Sequence, residues 1–346
     1  MLIRRRRGWE IPEREVTPES VYIDRRKILQ GMGLAAIGAG GVYGASKALA
    51  NGAPLMQQAV PMPDSVVYPS GPAADLYPAT PHPRLTLEDA GRPLTEPALT
   101  HAYNNFYEFE TPKQGVWRNV EDFKTEPWTF EVSGLVGKPG TYDLEEVMRK
   151  MPLEERVCRF RCVERWAAVI PWSGFPFRSF LELVEPQPRA KFVAMTTANR
   201  PGEMPGIPSQ SWYPWPYFDG LSIEEANNEL AFLVTGSYGK PNPKQNGAPI
   251  RFITPWKFGF KQVKSIVKFD FVERQPRTFW NDLQPSEYGF WANINPKIPH
   301  PRWSQAQEWL INNGDVYDTQ IYNGYGEWVA DMYTSMEKEL GLWLYR

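Results

Sequence analysis

The stretch Glu155-Arg156-Val157-Cys158-Arg159-Phe160-Arg161-Cys162-Val163-Glu164-Arg165-Trp166, followed closely by the turn Pro171-Trp172-Ser173-Gly174-Phe175-Pro176, decides how this chain is read. Val157 to Val163 lacks helical spacing, and on a strand Cys158, Phe160 and Cys162 share one face. A thiolate is both a soft ligand and a strong nucleophile, and the surrounding Arg156, Arg159, Arg161 and Arg165 are expected to favour its ionised form. Cys158 and Cys162 are the only cysteines. Four residues apart on a strand they lie about 13 Å from each other, beyond the span of a disulfide.

Outward from this stretch, composition sets the setting. The 346 residues are 42% hydrophobic and 14% aromatic, enough to bury a sizeable core in one large domain or two modest ones. Thirty-four prolines disfavour long helices and favour short strands joined by structured loops. A net charge of −2 offers no bulk attraction for nucleic acid.

The N-terminus reads as an address. Asp24-Arg25-Arg26-Lys27-Ile28-Leu29-Gln30 precedes a weakly apolar Gly/Ala run from Gly31 that ends Ala48-Leu49-Ala50. This order predicts a twin-arginine signal peptide over residues 1–50, cleaved after Ala50, with export to the periplasm. The other reading, a membrane anchor, is weakened by Gly38-Ala39-Gly40-Gly41 and Lys47. Residues 1–50 hold nine of the 38 basic and five of the 40 acidic residues, so the remainder carries a net −6. Residues 51–100, rich in Pro, Ala and Thr without periodicity, predict an extended arm that is wrapped on the surface or partly disordered.

Residues 101–346 are expected to form a single domain. Strands are predicted at Trp128–Val132, Phe192–Thr196, Leu230–Val234, Ile250–Ile253 and Ile266–Phe271. Asp143 with Glu146, and Ser222 with Glu225, predict capped helix starts. His82, His101 and His300 form no zinc motif, and haem attachment, phosphate-loop, dinucleotide and serine-elbow patterns are missing from the sequence. A thiol nucleophile would require His300 or His101 to fold against Cys162.

Three further segments carry polar groups on rigid walls. They are Tyr103-Asn104-Asn105-Phe106-Tyr107-Glu108-Phe109, Asn246-Gly247-Ala248-Pro249-Ile250-Arg251, and Lys257-Phe258-Gly259-Phe260-Lys261-Gln262-Val263-Lys264. Taken singly, each is a turn with solvated charges. Together they supply cations for a phosphate, amides for ring edges and apolar walls for a heterocycle.

In order along the chain, YNNFYEF, PLEERVCRFRCVERW with VIPWSGFP, NGAPIRFITPWKFGFKQVKSI, EYGFWANINP and HPRWSQA resemble the periplasmic methionine-sulfoxide reductase catalytic subunits. That family belongs to the molybdenum enzymes of the sulfite-oxidase fold, and the likeness spans Tyr103 to Asn323. The resemblance implies an α+β, sulfite-oxidase-like molybdopterin-binding fold with mixed β-sheets, short helices and long structured loops. It implies one Mo-molybdopterin per chain, with Cys162 the protein ligand of the metal. Asn104, Tyr107, Glu108, Thr197, Asn246, Arg251, Gln262, Val263 and Lys264 match its cofactor-binding positions, and Arg251 and Lys264 match phosphate partners. Gln262 and Val263 replace the expected Gly and Ile, which points to contacts through the backbone. Asn105 and Glu164 fall where the family lines the metal pocket, as groups that position substrate or relay protons. Cys158 stands where an aromatic residue is expected; its own chemistry suggests a small buried apolar side chain, and its place on the Cys162 face of the strand leaves open a second thiol near the metal.

The implied reaction reduces methionine sulfoxide, free or in oxidised periplasmic proteins and in both epimers, with electrons from an MsrQ-like haem b membrane subunit. That partner also implies peripheral association with the membrane. Trp212-Tyr213-Pro214-Trp215-Pro216-Tyr217-Phe218 is a possible aromatic rim for such a substrate, or simply core packing. Two competing readings are a sulfite-oxidising molybdenum enzyme and a cofactor-free exported module whose aromatics stack on sugars.

Overall fold

A computed structural model of the chain describes residues 73–346. The twin-arginine segment, the Gly/Ala run and residues 51–72 of the arm lie outside the described residues.

The centre of the molecule is a hairpin. Strand β4 (Glu154–Arg161) runs antiparallel to β5 (Trp166–Pro176), in register from Glu154 opposite Gly174 to Arg161 opposite Ala167. All eleven residues of β5 are buried, and Pro171 to Pro176, expected from the sequence to form a turn, continue this strand instead; both of its edges are paired. One edge carries β4, and the other carries first β12 (Gln307–Leu310), then β8 (Phe232–Ser237). β12 leads on to β13 (Val316–Asp318), while β8 also pairs with β9 (Lys240–Pro241) and β10 (Arg251–Ile253). At the far side β1 (Thr80–Pro81) pairs in parallel with Glu154 and Glu155.

A second sheet has the order β3 (Gly140–Asp143), β2 (Thr129–Gly134), β11 (Ile266–Val272), β6 (Phe192–Thr197) and β7 (Phe218–Ser222). Only its β11–β2 pair is parallel. The helix Phe177–Val184 buries Phe177, Phe180, Leu181 and Val184, the one-face spacing of an amphipathic helix. Its rings join the two sheets, with Phe177 5.6 Å from Phe252 of β10 and Phe180 4.8 Å from Phe269 of β11. The sheets are therefore mixed and the helices short, with the longest eight residues among those described.

Local sequence explains the helix starts. Asp143 accepts from the Glu146 N–H, and Ser222 and Glu225 exchange bonds reciprocally as a full capping box. Thr86 and Asp89 form another such box in the arm. From residue 73 onward the arm is ordered and bonded to the hairpin. The N–H of Val157 reaches the Leu85 carbonyl (2.8 Å), Arg159 Nε reaches that of Ala90 (2.6 Å), and the N–H of Thr95 donates to Val169 O (2.9 Å).

One buried charge cluster ties arm, hairpin and β12 together. Glu308 of β12 accepts from Arg92 of the arm and, at 2.8 Å, from Arg161 Nε of β4, with all three side chains at most 5% exposed. Removing a carboxylate from such a site leaves buried cations without a counter-charge. Glu308→Ala is expected to lower stability by about 3–5 kcal/mol, read as a shift of the urea unfolding midpoint. Arg92→Met, which leaves the Arg161–Glu308 pair in place, is expected to cost less.

Candidate active site

The hairpin closes at Cys162-Val163-Glu164-Arg165. Arg165 N–H donates to Cys162 O and Cys162 N–H to Trp166 O, both at 2.9 Å. Arg165 lies in the left-handed region at φ 77°, the bulge position that a three-residue hairpin loop ordinarily gives to glycine. The carbonyls of Cys162 and Val163 in the turn are held by side chains. Arg161 Nη1 donates to Cys162 O, while Trp303 Nε1 (2.9 Å) and Gln305 Nε2 (2.8 Å) both donate to Val163 O.

This turn sets Glu164 beside the thiol, with Oε2 3.5 Å from Cys162 Sγ. The same oxygen accepts from Asn105 Nδ2 and Trp166 Nε1, each at 3.1 Å, and Oε1 lies 3.0 Å from Lys113 Nζ. Asn105 Nδ2 is also 3.6 Å from Cys162 Sγ. Partial burial pushes the Glu164 carboxyl up, but Lys113, Asn105 and Trp166 outweigh it and hold it below the usual carboxylate range.

The expectation that neighbouring arginines ionise Cys162 is overturned. Burial, and then the Glu164 carboxylate, push the thiol well above its ordinary value. Arg161 is turned to Glu308, Arg156 to Glu154, Arg159 to Ala90 O and Gln320, and Arg165 to Gln307 O. Two anions 3.5 Å apart would repel by about 5 kcal/mol at an effective dielectric of about 20, so a free thiolate here is costly. A metal cation bound to the sulfur reverses that balance.

His101 packs edge-on to Tyr238, and His300 stacks on Trp303 at 3.9 Å. Burial lowers both imidazoles to about 4. Neither makes a hydrogen bond to Cys162, which leaves the thiol-nucleophile reading without its base. Cys158 is buried against Tyr325, in the same buried cluster as Cys162.

A second group of the expected residues gathers nearby. Asn104 Nδ2 is 3.4 Å from Asn246 Oδ1, Arg251 Nη1 donates to Asn246 O (2.8 Å), and Arg251 Nη2 is 3.5 Å from Gln262 Oε1. The Arg251 guanidinium lies over Trp172, 5.0 Å from its ring centroid. Lys264 feels Arg251, Glu108 and Cys162, and Tyr107 feels Glu164 and Cys162, which joins the two groups electrostatically. Burial raises Glu108 and lowers Lys264, and each opposes the other's shift. Thr197 ends β6 opposite Ile266, two residues beyond Lys264. Gln262 uses its side chain within the protein, while Val263 is a core residue whose carbonyl accepts the Phe252 N–H.

The site is notable for what its polar atoms lack. Asn104 Oδ1, Asn105 Oδ1, Thr197 Oγ1 and Arg251 Nε are buried with no partner. Arg251 is pulled down to about 9 by burial alone. Leaving these groups unsatisfied is costly unless a ligand completes them. Acceptors, a donor and two cations around a thiol suit a phosphate-bearing heterocycle that carries a soft metal.

Comparison with known proteins accords with this donor set. Residues 117–280 match the oxidoreductase molybdopterin binding domain, and with the full-length relatives below this places the protein among the molybdopterin-dependent oxidoreductases. Similar chains include the protein-methionine-sulfoxide reductase catalytic subunits MsrP of Burkholderia mallei (43% identical; 95% of this chain and 95% of that one) and Xanthomonas axonopodis pv. citri (43%; 94% and 96%). The MsrP of Pseudomonas syringae pv. tomato is also 43% identical, over 94% of this chain and 95% of its own. The chain belongs to the MsrP family. Among solved structures, the sulfane dehydrogenase SoxCD of Paracoccus pantotrophus aligns with 14% identity and a TM-score of 0.39 over 57% of this chain and 51% of that one.

Lys113, Trp166, Trp303 and Gln305 had no assigned part in the sequence reading. Trp166, Trp303 and Gln305 lie inside the quoted motifs, but Lys113 has no local signal. The turn itself is testable. Arg165→Val, β-branched at a positive φ, is expected to destabilise by about 1–2 kcal/mol relative to Arg165→Gly, measured by thermal unfolding of the two variants side by side.

Proposed function

We propose that the surroundings of Cys162 are where this methionine-sulfoxide reductase performs its reaction, with Cys162 the protein ligand of molybdenum and one molybdopterin per chain. The observation that carries this reading is the buried Cys162 sulfur with Asn105 and Glu164 within 3.6 Å of it, together with unpaired buried atoms on Asn104, Asn105, Thr197 and Arg251. Arg251 and Lys264 would take the phosphate, with Asn246 and Gln262 fixing the guanidinium. Asn104, Tyr107, Glu108 and Thr197 would line the pterin, and Val263 contributes backbone and core packing. When bound, the cofactor supplies two-electron oxygen-atom chemistry, in which a sulfoxide, two electrons and two protons give a thioether and water.

The protein's own groups orient and protect. Cys162 is held by its turn, and Asn105 and Glu164 stand within 3.6 Å of its sulfur, where they can orient the sulfoxide or pass protons. Trp212 is 52% exposed, and its neighbour Tyr213 stacks on Tyr107. This aromatic edge suits a methionine sulfoxide side chain presented on a protein, in either epimer.

The sequence has no haem, flavin or iron–sulfur motif, and relatives are named catalytic subunits, so electrons are expected from a separate MsrQ-like haem b membrane subunit. Twin-arginine export would place the folded, loaded protein in the periplasm. No helix of the described residues is long and apolar enough to cross a membrane. The sulfite-oxidising alternative loses support from Glu164, an anion next to the sulfur, and from the engagement of the hairpin arginines elsewhere. Family membership removes the sugar-binding alternative.

Metal and pterin analysis of the purified protein tests the reading. About one molybdenum per chain is expected, lost in Cys162→Ser and retained in Cys158→Ser. Turnover with a reduced dye should depend on methionine sulfoxide and not on sulfite. Metal retained in Cys162→Ser would sink the assignment.

A further inference from the structure

We infer that Lys113 is a positioning residue for the reaction: it holds Glu164 in place and supplies the positive charge that balances this carboxylate beside the metal-binding sulfur. The inference rests on the placement of the metal at Cys162. Lys113 Nζ binds Glu164 Oε1 at 3.0 Å, whereas Oε2 takes two neutral donors, Asn105 Nδ2 and Trp166 Nε1. Neutral donors orient the carboxylate and leave its charge in place. Among the described residues Lys113 is the only cation in an ion pair with Glu164, since the hairpin arginines are directed to Glu308, Glu154, Gln320 and backbone carbonyls.

The chain builds this grip from one loop. Asn104 N–H donates to Lys113 O at 3.0 Å, so residues 104–113 close on themselves. One end of the loop offers Asn105 and the other offers Lys113, and both reach the same carboxylate. The Lys113 side chain is 20% exposed and that of Glu164 33%, so the pair lies at the solvent edge of the site. Removing the ammonium there leaves a hydrated carboxylate and not a buried orphan, and the fold tolerates it.

The consequence is electrostatic. Reduction adds negative charge at the metal, and an uncompensated carboxylate 3.5 Å from its sulfur ligand opposes that charge. With Lys113 in place the local charge is near zero. Without it the centre is harder to reduce, and Glu164 is free to swing away from Asn105 and Trp166.

The test compares metal-loaded Lys113→Met and Lys113→Arg with the parent, with Glu164→Gln and with the Lys113→Met/Glu164→Gln double variant. All are expected to keep the parent's molybdenum content and melting temperature. Lys113→Met should turn over sulfoxide about 10- to 100-fold more slowly at similar KM, the range found for groups that orient a metal's surroundings. Its centre should also show a more negative midpoint potential and a shifted electron paramagnetic resonance signal. Lys113→Arg should recover turnover to within about threefold, because the charge is restored. In the Glu164→Gln background the Lys113→Met change should slow turnover by less than about a further threefold. A parental potential and resonance signal in Lys113→Met, or full multiplication of the two effects in the double variant, would overturn the inference. Metal analysis of Cys162→Ser separates this outcome from failure of the site assignment, since it reads metal ligation without reference to Lys113.

Discussion

The antiparallel pairing of β4 with β5 is the constraint on which the rest depends. It closes in a three-residue loop that sets Glu164 Oε2 3.5 Å from Cys162 Sγ. Each layer around the hairpin holds that loop. The arm bonds along β4, β12 and β8 complete the other edge of β5, and Trp303 and Gln305 clamp the Val163 carbonyl. The sulfur, amide and carboxylate of the site sit on loops, and the paired strands on either side of the hairpin turn are what hold the turn in place.

Buried charge is distributed unevenly, and the pattern separates scaffold from site. Glu308 meets Arg92 and Arg161, Lys257 meets Glu225, and Lys261 meets Asp219, each inside the protein. Those pairs cross between elements distant in sequence and set their register at the cost of desolvation. Arg251 has no carboxylate of its own among the described residues, and its guanidinium is held by a carbonyl, an amide and a Trp face. A buried cation so oriented and so incompletely satisfied is a binding group, and its place near Lys264 and Asn246 matches the anionic end of the family's cofactor.

Much of this was legible in the sequence, for local reasons. The five strands expected from alternating or apolar runs are present with small shifts of boundary, such as Phe232–Ser237 for the expected Leu230–Val234. Asp143 and Ser222 cap their helices because capping depends only on residues three apart. Cys162 stood out because thiols are scarce here and its motif is long. The arginines around it misled, since proximity along a strand says nothing about which face or partner each guanidinium finds. Arg161 is adjacent to Cys162 in sequence, yet its charge is matched by Glu308, 147 residues away.

The sequence by itself determined the strand that carries Cys158 and Cys162 and the amide- and cation-bearing segments that follow, because strand period and donor type are properties of short stretches; it placed the turn at Pro171–Pro176, which lies inside β5, whereas the chain reverses at 163–165. Only the tertiary structure decided which cations are neutralised and which stay open, that burial and Glu164 push the Cys162 thiol up, and that Lys113 belongs to Glu164. The physical reason is that charge compensation and desolvation depend on distances in space and on exclusion of water, and both are set by which distant segments the two sheets bring together.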